Sequence, residues 1–264
     1  MPRAPLRLLS IGGSDSSGGA GVQADLKTFA AHGVYGMSVI TAVTAQSGRG
    51  VTEIHRVPAG VVTAQLRAVL DDMGVDGIKI GMLGTAEIVD AVASSLEALD
   101  RRVPIVLDPV IAASDGARLL DPGGVVRMRA RLFMLADVIT PNLPEASMLL
   151  GKTVASREER EAAARDLCRA GGAVLLTGGH GQGGEIVDLL VWSGGTTEFR
   201  APRLVTQSSR GTGCTLSSAL ALRLARGGEL PSAAAEAISF VRRAMSPGLT
   251  LGAEHSPLDH GVDP

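Results

Sequence analysis

Residues 7–43 read RLLSIGGSDSSGGAGVQADLKTFAAHGVYGMSVITAV. A short apolar run, Arg7–Ile11, gives way to a glycine- and serine-rich loop. A longer amphipathic segment, Gly21–Ala31, and a second apolar run, Met37–Val43, follow. Short runs bounded by turn residues suit buried strands, and the longer segment suits a helix. The pattern repeats outward from here. Further strand candidates are Gly77–Ile80, Val103–Leu107, Val138–Thr140 and Ala173–Leu176. Further helix candidates are Val61–Met73, Thr85–Leu99, Gly124–Phe133, Glu145–Leu150 and Glu158–Arg169. Strict β-α alternation builds an α/β fold, a mostly parallel sheet with helices on both faces. Ile186–Trp192 and Thr196–Phe199 flank Ser193-Gly194-Gly195 and predict an antiparallel hairpin. Helices Cys214–Ala225 and Ser232–Met245 come next, and the tail from Gly252 reads as irregular. No linker or repeat divides the chain, so residues 1–264 read as one domain.

The 264 residues are 45% hydrophobic but only 2% aromatic, so the core must be built from Ala, Val, Leu and Ile. Scarce aromatics also remove the stacking platforms that single-stranded nucleic acids need. A net charge of −2 without a basic block leaves no electrostatic footprint for DNA, RNA or an anionic membrane. Only three of the 25 basic residues are lysines (Lys27, Lys79 and Lys152), a bias to which we attach no function. Two cysteines, Cys168 and Cys214, make neither a disulfide framework nor a zinc cluster. Cys168, beside Leu167 in a helical pattern, reads as core. No apolar run approaches a membrane span, and the N-terminus lacks the apolar core of a signal peptide. A reducing, cytoplasmic location is the expectation.

Open α/β sheets bind ligands beyond the carboxyl ends of their strands. Polar and glycine clusters fall at those ends here: Gly12–Gly21, Thr44–Gly50, Gly81–Gly84, Asp108–Pro109, Pro141–Glu145, Gly178–Gly184 and Arg210–Thr215. Loops after several strands therefore converge on one cleft. The last cluster, Arg210-Gly-Thr-Gly-Cys-Thr215, runs into apolar Leu216–Leu224. Its glycines let the backbone approach a ligand closely, and the unpaired N–H groups of a helix start favour an anion. Cys214 at that start is expected to have a lowered thiol pKa. A glycine cradle beside an activatable side chain suggests phosphate group transfer. A tight turn holding a small buried cysteine fits the same run.

Asp108 follows a buried strand. Asn142 and Glu145, three apart at a helix start, can share one face. Such oxygen ligands suit Mg²⁺ held mainly through substrate phosphates. Asn142 also reads as an N-cap, and Glu145 as an acid drawn to the positive helix end. The amide of Gln46 suits the edge of a heteroaromatic ring. By type and place alone, Gln46 and Asp25 read as ordinary surface or capping residues.

Three motifs mislead. Gly151-Lys152-Thr153 ends like a P-loop, but Ala146 stands where the first glycine belongs and a helix precedes it. Gly19-Ala-Gly-Val-Gln-Ala24 matches a dinucleotide fingerprint, yet Ser14–Gly18 separates it from its strand and no acidic residue closes the second strand. Gly179-His-Gly-Gln-Gly-Gly184 leads into a strand rather than a helix. A nicotinamide enzyme is therefore disfavoured.

The ordered set of motifs is similar to a known family. Ser10-Ile-Gly-Gly-Ser-Asp-Ser-Ser-Gly-Gly-Ala-Gly-Val-Gln-Ala-Asp-Leu-Lys-Thr-Phe29 resembles the opening signature of bacterial hydroxymethylpyrimidine/phosphomethylpyrimidine kinases. Val39–Gln46, Lys79–Leu83, Leu107–Val110, Thr140–Ala146, Gly211–Ser218 and the tail Ser256–His260 match in order, nearly spanning the chain. The resemblance implies a ribokinase-like three-layer sandwich with a reduced lid, often a homodimer. It implies two steps of thiamine synthesis, using ATP and Mg²⁺. The first phosphorylates 4-amino-5-hydroxymethyl-2-methylpyrimidine, and the second turns the monophosphate into the diphosphate. Gln46 would bond the aminopyrimidine edge, and Gly13, Ala20, Asp25, Met82 and Val110 would line its pocket. Asp108, Asn142 and Glu145 would manage Mg²⁺ and phosphates, with Asp108 and Glu145 as metal ligands. Gly211, Thr212 and Gly213 would form the anion hole, and Cys214 would occupy the position of the base.

Two positions depart from the family pattern. Thr177 stands where Lys is usual, and Arg210 where His is usual. Thr177 removes a cation expected near the triphosphate, and Arg210 is the candidate to restore it, since guanidinium binds phosphate bidentately. Rival readings are a pyridoxal kinase of the same fold, a sugar kinase, which usually carries Asp at the position of Cys214, and a non-catalytic pyrimidine-binding protein.

Overall fold

The structure is a computed structural model that describes residues 5–264 apart from 114–115, 170–171, 180, 182, 247–248 and 253. The first β-α-β unit forms as its sequence predicts. Strand β1 (Arg7–Asp15) leads through helix α1 (Gly21–Ala31) to β2 (Tyr35–Ser47), which lies parallel to it. On the other side of β1, the strands β4 (Gly77–Ile80), β5 (Ile105–Leu107), β6 (Val138–Ile139) and β7 (Ala173–Leu176) add one after another, all parallel. Antiparallel strands close both edges. β3 (Gly50–Arg56) pairs with β2, while β8 (Glu185–Trp192) and β9 (Gly195–Pro202) form the predicted hairpin beside β7.

Every residue of β4, β5, β6 and β7 is buried. That follows from helices covering both faces of a parallel sheet. Successive side chains point to opposite faces, so the strands feed two separate cores. Ile78, Ile80, Leu107, Ile139 and Leu176 pack with helices α2 (Ala59–Leu70), α3 (Ala86–Glu97), α6 (Leu143–Leu150) and α7 (Arg157–Arg169). Leu8, Val106, Val138 and Leu175 pack with α1, α8 (Thr212–Ala225) and α9 (Leu230–Met245). The result is three layers. Cys168 packs against the first core, as expected.

Several local expectations are corrected. The segment Gly124–Phe133, read as one helix, is α4 (Pro122–Arg127), a π turn at Met128–Leu132 and α5 (Phe133–Leu135). The wider turn keeps Met128, Leu132 and Phe133 all buried. β3 escaped the sequence reading because its side chains are largely exposed and form no apolar run. The tail is not wholly irregular: β11 (Ser256–Pro257) pairs in parallel with β10 (Ser208–Arg210). At two residues, β11 is too short to leave a periodic signal. At the hairpin turn, Trp192 folds its indole over Gly194, where a Cβ would stand 2.4 Å from Nε1, and packs on the second core. Among the described residues no helix is long and apolar enough to cross a membrane.

Candidate active site

The loops at the carboxyl ends of the parallel strands meet over the sheet. On one side, Gly13 lies so close to Met82 that a Cβ there would sit 2.8 Å from its sulfur. Met82 packs with Ala42 and Leu119, and Val110 lies against them, in a small apolar cluster apart from both main cores. The structure thus brings Gly13, Met82 and Val110 together. Ala20 lies in the loop before α1, and Gln46 near the end of β2. Ala20 N–H donates to Asp15 at 2.8 Å, and the Gln46 amide oxygen accepts from Thr44 Oγ1 at 2.9 Å. The Gln46 main chain is tied to Ser16 Oγ on both its N–H and C=O. These last residues of β2 run past the end of β1 and, paired with β3, form a short flap.

Asp25 is corrected from a surface residue to the hub of a buried network. It is fully buried, and Lys79, 1% exposed, meets it at 2.9 Å. Ser10 Oγ donates to it at 2.6 Å and Ser218 Oγ at 2.8 Å. Neighbouring Asp25 carries the Lys79 pKa well above its ordinary value, against the opposing pull of burial. Sequence reasoning missed Lys79. The signal was a lysine in the middle of the buried strand Gly77-Ile-Lys-Ile80, since such a charge needs a carboxylate partner.

The opposite wall is the start of α8. Gly211 adopts φ +83°, and a Cβ on it would meet the carbonyl oxygen of Gly19 at 2.0 Å, so the loop admits only glycine there. The first intrahelical bond runs from Thr215 N–H to Gly211 C=O. The N–H groups of Thr212, Gly213 and Cys214 consequently lack a helical partner. Gly213 faces Asp108, whose carboxylate oxygen would be 3.6 Å from a Cβ at that position. The expected depression of the Cys214 pKa is not found. Burial pushes the thiol up to about 12, and the charges of Asp25 and Asp108 add to it. Lys79 and the Gly21 N–H pull the other way but are outweighed.

Asp108 and Glu145 are both buried. Burial raises Asp108 to about 6 despite Lys79. Burial and then the charge of Asp108 raise Glu145 to about 8. Asn142 and Glu145 form a reciprocal capping box at the start of α6, with bonds of 2.8 and 2.9 Å. Both structural readings of this pair therefore hold. Thr140 Oγ1 nearby is buried without a partner among the described residues. Asp108, Asn142, Glu145, Thr177, Thr212 and Gly213 all line one cleft of about 520 Å³, which continues along apolar residues of α9 and the β8–β9 hairpin.

Arg210 does not join Thr177 on that cleft. Its guanidinium pairs with Asp15 at 3.0 Å and donates to Ser47 C=O at 2.7 Å, on the flap side. Three other cations, Arg200, Arg203 and Arg242, do line the cleft. Arg203 is spent on the carbonyls of Gly179, Gly181 and Gly183 at 2.8–3.0 Å, which holds the loop after β7. His180 and Gln182 of the rejected dinucleotide motif lie outside the described residues. Gly151 of the rejected P-loop is instead the left-handed cap that ends α6, at φ +66°. A larger cavity of about 910 Å³ between α2 and α3 contains none of the predicted residues.

Residues 15–259 match the family described as phosphomethylpyrimidine kinase. The chain is 45% identical to the hydroxymethylpyrimidine/phosphomethylpyrimidine kinase of Streptomyces coelicolor, over 98% of this chain and 96% of that protein. It is 46% identical to the thiamine biosynthesis bifunctional protein ThiED of Geobacter sulfurreducens over 96% of its own length, but spans only 52% of that protein. Among solved structures, phosphomethylpyrimidine kinase from Clostridium difficile superposes with a TM-score of 0.80 at 36% identity, covering 91% of this chain and 100% of that one. Pyridoxal kinase from Staphylococcus aureus, in complex with AMP-PCP and pyridoxal, gives 0.89 at 32% identity, covering 98% and 94%. An α/β fold, a cleft lined by Asp108, Glu145, Thr212 and Gly213, and a match over nearly the whole length lead to one conclusion: the chain belongs to the phosphomethylpyrimidine kinase family.

Proposed function

We propose that this protein transfers the γ-phosphoryl group of ATP first to the hydroxyl of 4-amino-5-hydroxymethyl-2-methylpyrimidine and then to the phosphate of the product. The observation that carries the reading is the close opposition of the Gly211–Cys214 cradle and Asp108. Phosphoryl transfer is mostly positioning and charge stabilisation. Unpaired N–H groups at the start of α8 suit the equatorial oxygens of a moving phosphoryl group. The acceptor would lie among Gly13, Ala20, Met82 and Val110, with Gln46 at the ring edge. ATP would occupy the cleft, its base toward the apolar end and its phosphates toward Asn142, Thr177 and the cradle.

The residues present fit Mg²⁺. Asp108 and Glu145 are buried carboxylates, and the charge of Asp108 raises the pKa of Glu145. Such a pair is relieved by a hard cation, and Mg²⁺ commonly takes one or two carboxylates with the rest of its shell from water and phosphate. When bound, the ion would neutralise charge on the phosphates. Cys214 would accept the hydroxyl proton of the first acceptor in its thiolate form, reached by loss of the thiol proton to solvent. The second acceptor is a phosphate monoester with a pKa near ~6, already mostly dianionic at neutral pH, and needs no base. Homodimerisation has support in the exposed edge strand β3 and the half-exposed Val43 and Tyr35. Both cysteines are free, which supports a reducing, cytoplasmic setting.

ADP release with Mg-ATP tests the reading, comparing hydroxymethylpyrimidine, its monophosphate and pyridoxal. Turnover of both pyrimidines with little on pyridoxal is expected. Pyridoxal earns its place as a control from the TM-score of 0.89 to a pyridoxal kinase. Tight pyrimidine binding without ADP formation from any acceptor would overturn the kinase reading in favour of a binding protein.

A further inference from the structure

Arg210 joins three segments that are far apart in sequence. Its side chain is 9% exposed and that of its partner Asp15 2%. One nitrogen of the guanidinium meets Asp15 at the end of β1, and another meets Ser47 C=O at the tip of the flap. The stem lies against Gly19, where a Cβ would stand 3.0 Å from both Cδ and Nε. Asp15 in turn accepts from the N–H groups of Ser17, Gly19 and Ala20 and from Ser17 Oγ, and so shapes the whole β1–α1 loop. The next residue, Gly211, begins the anion cradle and sits against the carbonyl of Gly19.

We propose that Arg210 is a positioning residue that locks the acceptor-binding loop and the flap to the phosphoryl-transfer loop. Its planar fork is what allows one side chain to serve a carboxylate and a carbonyl at once. Arg210 therefore acts on the acceptor half of the site and leaves the nucleotide half alone. This rests on the kinase reading above, and it predicts an effect divided between the two substrates.

The test compares wild type with Arg210→Met, Arg210→Lys and Asp15→Asn. KM is measured for hydroxymethylpyrimidine and for ATP, with amide hydrogen exchange followed in residues 16–20 and 46–49. Arg210→Met leaves Asp15 its four other donors, so the buried carboxylate stays compensated and the fold is retained. The acceptor KM should rise about tenfold while the ATP KM stays within about twofold. Exchange in both segments should accelerate together. Arg210→Lys should recover part of the loss, because one ammonium cannot span Asp15 and Ser47, and Asp15→Asn should reproduce the split. An ATP KM that rises in step, or exchange at 46–49 unchanged in Arg210→Met, overturns the proposal. If wild type makes no ADP, the kinase reading fails, and the exchange comparison alone decides whether Arg210 couples the segments.

Discussion

Cys214 is where local and global physics part company. Its position at a helix start argues for an easily ionised thiol. In the fold, burial and two carboxylates outweigh that field and push it up to about 12. At neutral pH the resting group is accordingly the thiol. If Cys214 takes a proton during transfer, its removal must be felt where a proton has to leave. Cys214→Ala should lower kcat for the hydroxymethyl acceptor by at least about 100-fold and for the monophosphate by less than about tenfold, as single-turnover ADP formation would read. Equal losses in the two steps would assign Cys214 to shaping the loop instead. The pKa was not legible in the sequence because Asp25 and Asp108, 189 and 106 positions away, act only after folding. By contrast, the Asn142 and Glu145 capping box was legible, since its two partners lie within four residues.

At the scale of elements, the start of α8 is held from below by side chains of other elements. Ser217 donates to Asp108 at 3.4 Å, and Ser218, one turn past Cys214, donates to Asp25. The Lys79–Asp25 pair therefore connects β4, α1 and α8 beneath the cradle. Breaking a buried pair leaves an uncompensated charge and costs about 3–5 kcal/mol. Lys79→Met should lower stability by that order in denaturant titration. Lys79→Met combined with Asp25→Asn should recover at least about half of the loss. Equal destabilisation of the single and double variants would mean that the pair is not the source of the cost. Parallel strands β4 to β7 were readable as short apolar runs because both their faces are covered. β3 was not, since an edge strand facing solvent carries Thr52, Glu53, His55 and Arg56 in place of such a run. The π turn was hidden because helical periodicity alone does not distinguish it from a regular turn.

At the scale of the molecule, the tail closes the structure. β11 lies on β10, and His260 meets Oγ1 of Thr215, the residue after Cys214, at 2.9 Å. Burial lowers the His260 pKa to about 4, so the folded protein holds it neutral. Above the ordinary value near 6.5 both folded and unfolded chains carry neutral imidazole, and His260 adds no pH dependence. Below it the unfolded chain protonates first, so stability is lost as pH falls from about 6.5 to about 4. The loss should reach roughly 2–3 kcal/mol, and His260→Gln should flatten that part of the Tm–pH curve. Equal Tm–pH slopes in wild type and His260→Gln across this window would remove His260 as the cause, since Asp108 and Glu145, raised by burial, act there with the opposite sign. The layered α/β architecture was legible from alternation, whereas this closure was not, because two-residue strands and a single histidine contact carry no period. The hairpin at the far edge of the sheet offers a different use. Trp192 is the chain's single indole and packs on the core shared by α1, α8 and α9. Tryptophan emission is thus a native optical reporter of that one layer, against which circular dichroism of all the helices can be compared to ask whether the two sides of the sheet melt together.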